Sequence, residues 1–178
     1  MIFACICGIV LLVLLFIDLI TKAWAYSALI QQKTFFLKII RLNYLPGGNT
    51  GIAWGFLGNT ETAMTIVTIL TALMIIGLFA LYFTFFKRNK PAKVCLAVIV
   101  AGAIGNFIDR VVLGYVRDFI DVSPLGFGVC NLADFYITFG AVALLIVILF
   151  VGKEAVFPLG KYRKKKGTKE EKSDDATD

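Results

Sequence analysis

The chain has 178 residues, of which 59% are hydrophobic, and a mean hydropathy of +0.85, values that exclude an ordinary soluble domain. Its net charge of +6 does not indicate nucleic-acid binding, because the cations cluster beside apolar segments, as expected for anchoring at an anionic lipid surface. The absence of histidine excludes Ser–His and Cys–His catalysis and the H-E-x-x-H zinc site. Any hydrolysis by this chain must therefore use carboxylates.

Four apolar segments are long enough to cross the ~30 Å hydrocarbon core of a membrane. They lie at about 2–20, 62–86, 94–113 and 134–152. The third reaches this length only if its helix continues through Asp109 and Arg110. Ala23-Trp24-Ala25 resembles a signal-peptide cleavage site, but no positive region precedes the first apolar segment, so we expect a retained helix. The predicted fold class is an all-α polytopic membrane protein with four transmembrane helices.

The segment between the first two spans has a different composition. Residues Thr34–Tyr44 are rich in β-branched and aromatic side chains, which favour short strands. Pro46–Gly51 then has the composition of a turn. These features predict a small β-sheet on the membrane surface.

Cations predict the orientation of the spans. Four lie in the short loop at 87–93 and eight in the C-terminal region, whereas the loop between the third and fourth spans has two at most. Because positive charge favours the cytoplasmic side, both termini are predicted inside, and segments 27–60 and 110–134 share the outer face. We expect residues 1–155 to form one membrane domain and residues 156–178 a basic, disordered cytoplasmic tail.

Polar side chains recur on single faces of two predicted helices. Asp18 and Lys22 are four residues apart in the first, so they either mark the end of a span or belong to a site. Asn106, Asp109 and Arg110 share one face of the third. The simplest interpretation of these three residues is a buried Asp–Arg pair with an asparagine that holds helices together. If they belong to a functional site, they are expected to orient its groups and not to perform its chemistry.

Two further carboxylates lie near the outer ends of the last two spans. Asp118 is in an extended piece between hydrophobic residues, and Asp134 opens the fourth helix, where Asn131 as N-cap and Asp134 as first-turn acid would be an ordinary start signal. Two adjacent carboxyls share a proton and supply an acid and a base that activate water. The residues alone leave Asp118 and Asp121 open as the partner of Asp134, since both are near the membrane boundary. In a strand they point to opposite faces, so only one of them would face the site.

Five ordered blocks of the sequence resemble those of bacterial lipoprotein signal peptidases, the signal peptidase II family. The blocks are Asp18–Lys22, Asn49–Gly55, Ala101–Arg110, Val116–Asp121 and Asn131–Asp134. Any one block would be weak evidence, but five in order, together with four spans, are highly specific.

The resemblance implies a bacterial cytoplasmic-membrane aspartic peptidase with a small extracytoplasmic sheet, its active site toward the outer face. Its substrates would be prolipoproteins, cut on the amino side of a diacylglyceryl-modified cysteine, and its other partners membrane lipids. The resemblance selects Asp118 and Asp134 as the catalytic pair, and implies no metal and no organic cofactor. The positions that would bind substrate or support the site are Asp18, Lys22, Asn49, Gly51, Asn106, Asp109, Arg110 and Asn131.

Three positions depart from the usual pattern of the family, namely Ala101, Arg117 and Cys130. Arg117 is next to Asp118 and is expected to lower the pKa of that carboxyl if its charge stays close. Two other functional classes compete with a peptidase: a small transporter that uses the aspartates along a path, and a non-catalytic assembly factor. Neither explains the five ordered blocks.

Overall fold

Four long helices dominate the computed structural model, which describes residues 2–29, 34–36, 40–43, 45, 48–49, 61–84 and 89–150. The helices are α1 (Ile2–Ala28), α2 (Glu61–Phe83), α3 (Lys90–Leu113) and α4 (Leu132–Phe150). All four are long and apolar enough to cross a membrane, and large hydrophobic side chains cover their outer surfaces. The predicted spans are therefore confirmed. The first helix continues past the predicted end near residue 20, so that Asp18 and Lys22 lie within it.

Helix α3 is the central helix of the bundle. More than half of its apolar stretch is buried, whereas α1 and α4 bury about a tenth of theirs and α2 none. Small residues allow this packing, because a Cβ atom at Gly102 would collide with the backbone carbonyl of Ala133, and one at Gly105 with the Asp18 carboxylate. The close approach of α3 to α1 and α4 places polar groups from all three helices in one region.

The ends of α3 are defined by local hydrogen bonds. At its start the Asn89 side chain accepts a hydrogen bond from the backbone N–H of Ala92 at 3.0 Å. At its end Gly114 adopts a left-handed conformation, with φ of 76°, and its N–H donates to the carbonyl of Arg110. The chain leaves the helix there and enters the extended segment that contains Asp118.

Four short antiparallel strands form one sheet in the order β1 (Thr34–Phe36), β2 (Ile40–Leu42), β3 (Ile120–Asp121) and β4 (Val129–Cys130). The strands predicted within Thr34–Tyr44 are thus confirmed as β1 and β2. Ala25, Leu29 and Phe119 are buried together and attach the sheet to the end of α1. In the predicted turn, of which only Gly48 and Asn49 are described, the N–H of Gly48 donates to the Leu45 carbonyl at 2.9 Å. Gly51 and the predicted tail lie outside the described residues.

Candidate active site

Asp118 lies in an extended segment whose backbone is held on both sides. Val116 and Asn49 exchange two backbone hydrogen bonds, of 2.9 and 3.0 Å. The N–H of Phe119 donates to the carbonyl of Cys130 at 3.0 Å, and its carbonyl accepts from the N–H of Asn43 at 2.9 Å. The prediction of an extended piece here is confirmed, and the backbone position of Asp118 is fixed by its neighbours.

Asp134 is positioned by the start of α4. The Asn131 side-chain oxygen accepts a hydrogen bond from the N–H of Asp134 at 3.2 Å, and the Asp134 carboxylate accepts one from the N–H of Asn131 at 3.0 Å. This reciprocal arrangement is a capping box, with aspartate in the usual place of glutamate. The predicted start signal is therefore confirmed, and it also sets the orientation of the Asp134 carboxylate.

Neutral amides provide the side-chain hydrogen bonds to both carboxylates. Asp118 accepts from the side-chain amides of Asn49, at 2.9 Å, and Asn131, at 2.6 Å. Asp134 accepts from the side-chain amide of Asn106 at 2.8 Å. Asn131 thus contacts both carboxylates, with its side-chain amide on Asp118 and its backbone N–H on Asp134. The two carboxylates predicted as the catalytic pair are therefore linked by hydrogen bonds to the same residue.

The Asp118 carboxyl has an unusual proton affinity. Its residue is only 3% exposed, and this burial, together with the negative charge of Asp134, raises its pKa to about 6. The hydrogen bonds from Asn49 and Asn131 act in the opposite direction, because they stabilise the charged form. A carboxyl with this pKa exchanges its proton near neutral pH, as acid–base catalysis requires.

Arg117 pairs with a carboxylate other than the predicted one. Its guanidinium makes a two-pronged contact with Asp109, with Nη2–Oδ1 at 2.6 Å and Nε–Oδ2 at 3.2 Å, and its backbone N–H also donates to Asp109 at 3.0 Å. The expectation that Arg117 lowers the pKa of Asp118 is wrong, because the guanidinium is held by Asp109 and the pKa is raised. Through Arg117, Asp109 fixes the residue that precedes Asp118.

Asp18 and Lys22 form a fully buried ion pair, with Nζ–Oδ2 at 2.7 Å, as their spacing on one helix face predicts. The pair reaches two other helices. Asp18 accepts a hydrogen bond from the N–H of Ala133 at 3.0 Å, and Lys22 donates to the Asn106 side chain at 2.9 Å. Lys22 also lies 3.8 Å from Asp109. Helix α1 therefore contributes to the same polar cluster as α3 and α4.

The structure corrects the predicted Asp109–Arg110 pair. Asp109 makes its ion pairs with Arg117 and Lys22, whereas the Arg110 Nε is buried without a hydrogen-bond partner in the structure. The charges of Asp134 and Asp118 act on the Arg110 guanidinium more strongly than that of Asp109. Arg110 therefore faces the carboxylate pair with a donor unused. No pattern in the sequence indicated this, because Asp109 is the acidic residue adjacent to Arg110 along the chain.

Asp121 has a separate role in the loop. Its carboxylate accepts a hydrogen bond from the N–H of Ser123 at 2.9 Å, at the start of the short 3₁₀ helix Ser123–Leu125. The side-chain bonds from Asn49 and Asn131 go to Asp118 instead. The geometry therefore associates Asp118, rather than Asp121, with Asp134.

Cys130 is the one cysteine close to these carboxylates. Burial raises the pKa of its thiol to about 12, and the charges of Asp134, Asp118 and Asp121 act in the same direction. The thiol stays protonated at neutral pH and lies 3.5 Å from the Ile120 carbonyl, so it is not an activated nucleophile. Among the residues that the structure describes, no cluster of three potential metal ligands occurs. Water activated by the carboxyls is the chemistry that this arrangement supports.

The family model of signal peptidase II matches residues 10–150. The chain belongs to the signal peptidase II family. Lipoprotein signal peptidases of Streptococcus pyogenes serotype M1 and Caldicellulosiruptor bescii are 36% and 37% identical to it over 145 and 142 residues. These alignments cover 78% and 79% of the chain and 89% of each relative.

Solved structures agree with this assignment. A bacterial membrane enzyme determined by the in meso method at 2.3 Å resolution is 29% identical, with a TM-score of 0.68 over 80% of this chain and 87% of that chain. A second such structure, at 1.9 Å, is 28% identical, with the same TM-score over 81% and 92% of the two chains. As a signal peptidase II family member, the protein is a membrane enzyme of an aspartic peptidase family that removes signal peptides from prolipoproteins.

Proposed function

We propose that Asp118 and Asp134 are the catalytic dyad of this peptidase, which cleaves prolipoproteins on the amino side of a diacylglyceryl-modified cysteine. The observation that carries the proposal is that Asn131 donates a hydrogen bond to each of the two carboxylates. The cations Lys22 and Arg117 make their ion pairs with Asp18 and Asp109 and not with either member of the dyad.

The charges of the polar cluster support a shared proton. Four carboxylates and three cations make up the cluster, which leaves one negative charge in excess. The carboxylates are Asp18, Asp109, Asp118 and Asp134, and the cations are Lys22, Arg110 and Arg117. Burying an uncompensated charge is costly, so the cluster is most stable with one proton on the dyad. One member is then a base and the other an acid at the same pH.

The proposed reaction needs no covalent intermediate and no cofactor. The ionised carboxylate takes a proton from water, whose oxygen attacks the scissile carbonyl, and the protonated carboxyl donates to the leaving nitrogen as the peptide bond breaks. One proton enters the dyad and one leaves it, so the pair is restored with its proton shared. The assignment of acid and base belongs to the pair, because strongly coupled groups titrate together.

The other site residues have supporting roles in this proposal. Asn49, Asn106 and Asn131 orient the two carboxylates, and the ion-paired residues Asp18, Lys22 and Asp109 hold the three helices in register. Arg110, with its buried unused donor, is placed to bind a substrate carbonyl. We assign Gly51 to the same site from its position in the sequence block alone, because it lies outside the described residues.

We further propose that the dyad faces the outer side of the bacterial cytoplasmic membrane, with both termini inside. Lys90 and Lys93, two cations of the 87–93 segment, lie at the start of α3, and Asp109 lies near its other end. Residues 1–155 then form the membrane domain and 156–178 a cytoplasmic tail. A C-terminal reporter that is fluorescent only in the cytoplasm tests this orientation, and an active periplasmic reporter there would contradict it.

The test of the dyad is processing of a diacylglyceryl-modified prolipoprotein by purified Asp118→Asn and Asp134→Asn variants that insert in the membrane. Both should lose cleavage, while the matched control Asp121→Asn should retain it. Turnover at the wild-type rate by either dyad variant would disprove the proposal. A transporter would instead move ions in vesicles, and an assembly factor would tolerate both substitutions.

A further inference from the structure

An apolar cavity of about 200 Å³ lies between α1, α2 and α3, in the part of the bundle that is far from the carboxylates. Residues that line it include Cys7 and Gly8 of α1, Tyr82 and Phe83 of α2, and Leu96 and Ala97 of α3. Leu96 precedes Asp109 by 13 residues, about 20 Å along a helix. The cavity, called the lipid groove below, is therefore distinct from the active site.

Two lysines at the start of α3 border the lipid groove. The Lys93 ammonium lies 4.6 Å from the centroid of the Tyr82 ring, which lines the groove. The Lys90 ammonium lies 5.7 Å from the ring of Phe3, the neighbour of the lining residue Ala4. Positive charge is thus concentrated where the apolar walls reach the end of the helices.

We propose that the lipid groove holds one acyl chain of an anionic membrane phospholipid, with its phosphate between Lys90 and Lys93. The chain matches the apolar walls, and the phosphate matches the two ammonium groups in charge. A signal peptide fits less well, because its backbone N–H and C=O groups would be buried against walls without polar partners. The inference is independent of the catalytic roles of Asp118 and Asp134.

The acyl part is tested by filling the groove. Gly8 lines the groove and a Cβ atom there meets no atom within 4 Å, so Gly8→Leu adds a large side chain at the wall of the groove without overlap. Gly77→Leu on α2 is the matched control, because that position is equally open and does not line the groove. The full-length protein is taken from nanodiscs of equal phosphatidylglycerol and phosphatidylcholine, and retained lipids are counted by native mass spectrometry.

We expect the wild type and Gly77→Leu to retain one phosphatidylglycerol molecule. Gly8→Leu should retain at least tenfold less phosphatidylglycerol than the wild type. Unchanged retention by Gly8→Leu would overturn the acyl site. Both variants should process prolipoprotein at the wild-type rate. That measurement shows they are folded and keeps this inference separate from the proposed dyad.

The headgroup part is tested by charge. The double variant Lys90→Gln/Lys93→Gln should lower the preference for phosphatidylglycerol over phosphatidylcholine by about 30-fold, about fivefold for each lysine. Lys90→Arg/Lys93→Arg keeps both charges and should keep the preference. Equal retention of the two lipids by the wild type, or an unchanged preference in the glutamine variant, would contradict the assigned phosphate position.

Discussion

The polar cluster contains two pairs of aspartates that differ in their partners. Asp18 and Asp109 are bonded directly to cations, Lys22 and Arg117. Asp118 and Asp134 receive their side-chain hydrogen bonds from the amides of asparagines. A bonded cation balances the charge of a carboxylate, whereas a neutral amide orients the carboxylate without adding a positive charge. The first pair is suited to joining helices and the second to acid–base chemistry.

The largest expected effect comes from the amide-bonded pair. Asp118→Asn and Asp134→Asn should each lower kcat for prolipoprotein cleavage by about 10³-fold or more, because each removes one half of the acid–base pair. The melting temperature should stay near that of the wild type, since asparagine keeps the size of the side chain and the ion pairs of Lys22 and Arg117 are left intact. If these variants instead melted at a much lower temperature while the folded fraction kept its kcat, Asp118 and Asp134 would be residues that stabilise the fold and not the catalytic pair.

The ion-paired aspartates should respond in the opposite way. Asp109→Asn leaves Arg117 without its buried counter-charge, so we expect a loss of about 3–5 kcal/mol of stability. Thermal denaturation of the purified protein measures this loss. In the double variant Asp109→Asn/Arg117→Gln part of the stability should return, because the unpaired charge is gone; full additivity of the two losses would argue against a direct pair.

The close contact between α1 and α3 next to the ion-paired aspartates should be sensitive to the addition of a single methyl group. Gly105→Ala would place its Cβ against the Asp18 carboxylate and should cost about 1–3 kcal/mol through displaced packing. Gly8→Ala is the control, because that position is open. Equal melting temperatures for the two variants would show that α1 and α3 do not need this close contact.

The smallest expected effect is a shift in the pH dependence of activity. Asp118 has a raised pKa of about 6, so kcat/KM should fall as pH rises through this region and the dyad loses its shared proton. Asn49→Ala removes a hydrogen bond that stabilises the charged form, so the pKa should rise further and this limb should move up by about one pH unit. A downward shift in the pH–rate profile would contradict the assigned role of Asn49.

Much of the fold followed from local patterns in the sequence. The four spans follow from apolar length, the Asp18–Lys22 pair from a spacing of four residues, and the start of α4 from Asn131 and Asp134. Each of these depends on neighbours along the chain. The strand pairing β2–β3, which brings residues 41 and 121 together, depends on distant segments and had no sequence signal.

The partners of the two arginines also could not be predicted from residues that are neighbours along the chain. Adjacent residues suggested that Arg117 acts on Asp118 and that Arg110 pairs with Asp109, and both interpretations are wrong. Adjacent residues in an extended segment point in opposite directions, so Arg117 turns away from Asp118. The choice of Asp118 over Asp121 came from family resemblance, and its hydrogen bonds to Asn49 and Asn131 now give that choice a geometric basis.

The capping box at the start of α4 also has a consequence for biosynthesis. Asn131 and Asp134 lie at the start of α4, which leaves the ribosome after α1, α2 and α3. Their partners Asn106 and Asp18 lie on α3 and α1, which are synthesised earlier. The two carboxyls therefore acquire their common partner only after the fourth helix has entered the bilayer. A nascent chain with three inserted helices holds Asp118 but lacks Asp134 in place, so the proposed dyad, and with it proteolytic competence, should form in a single step when α4 inserts.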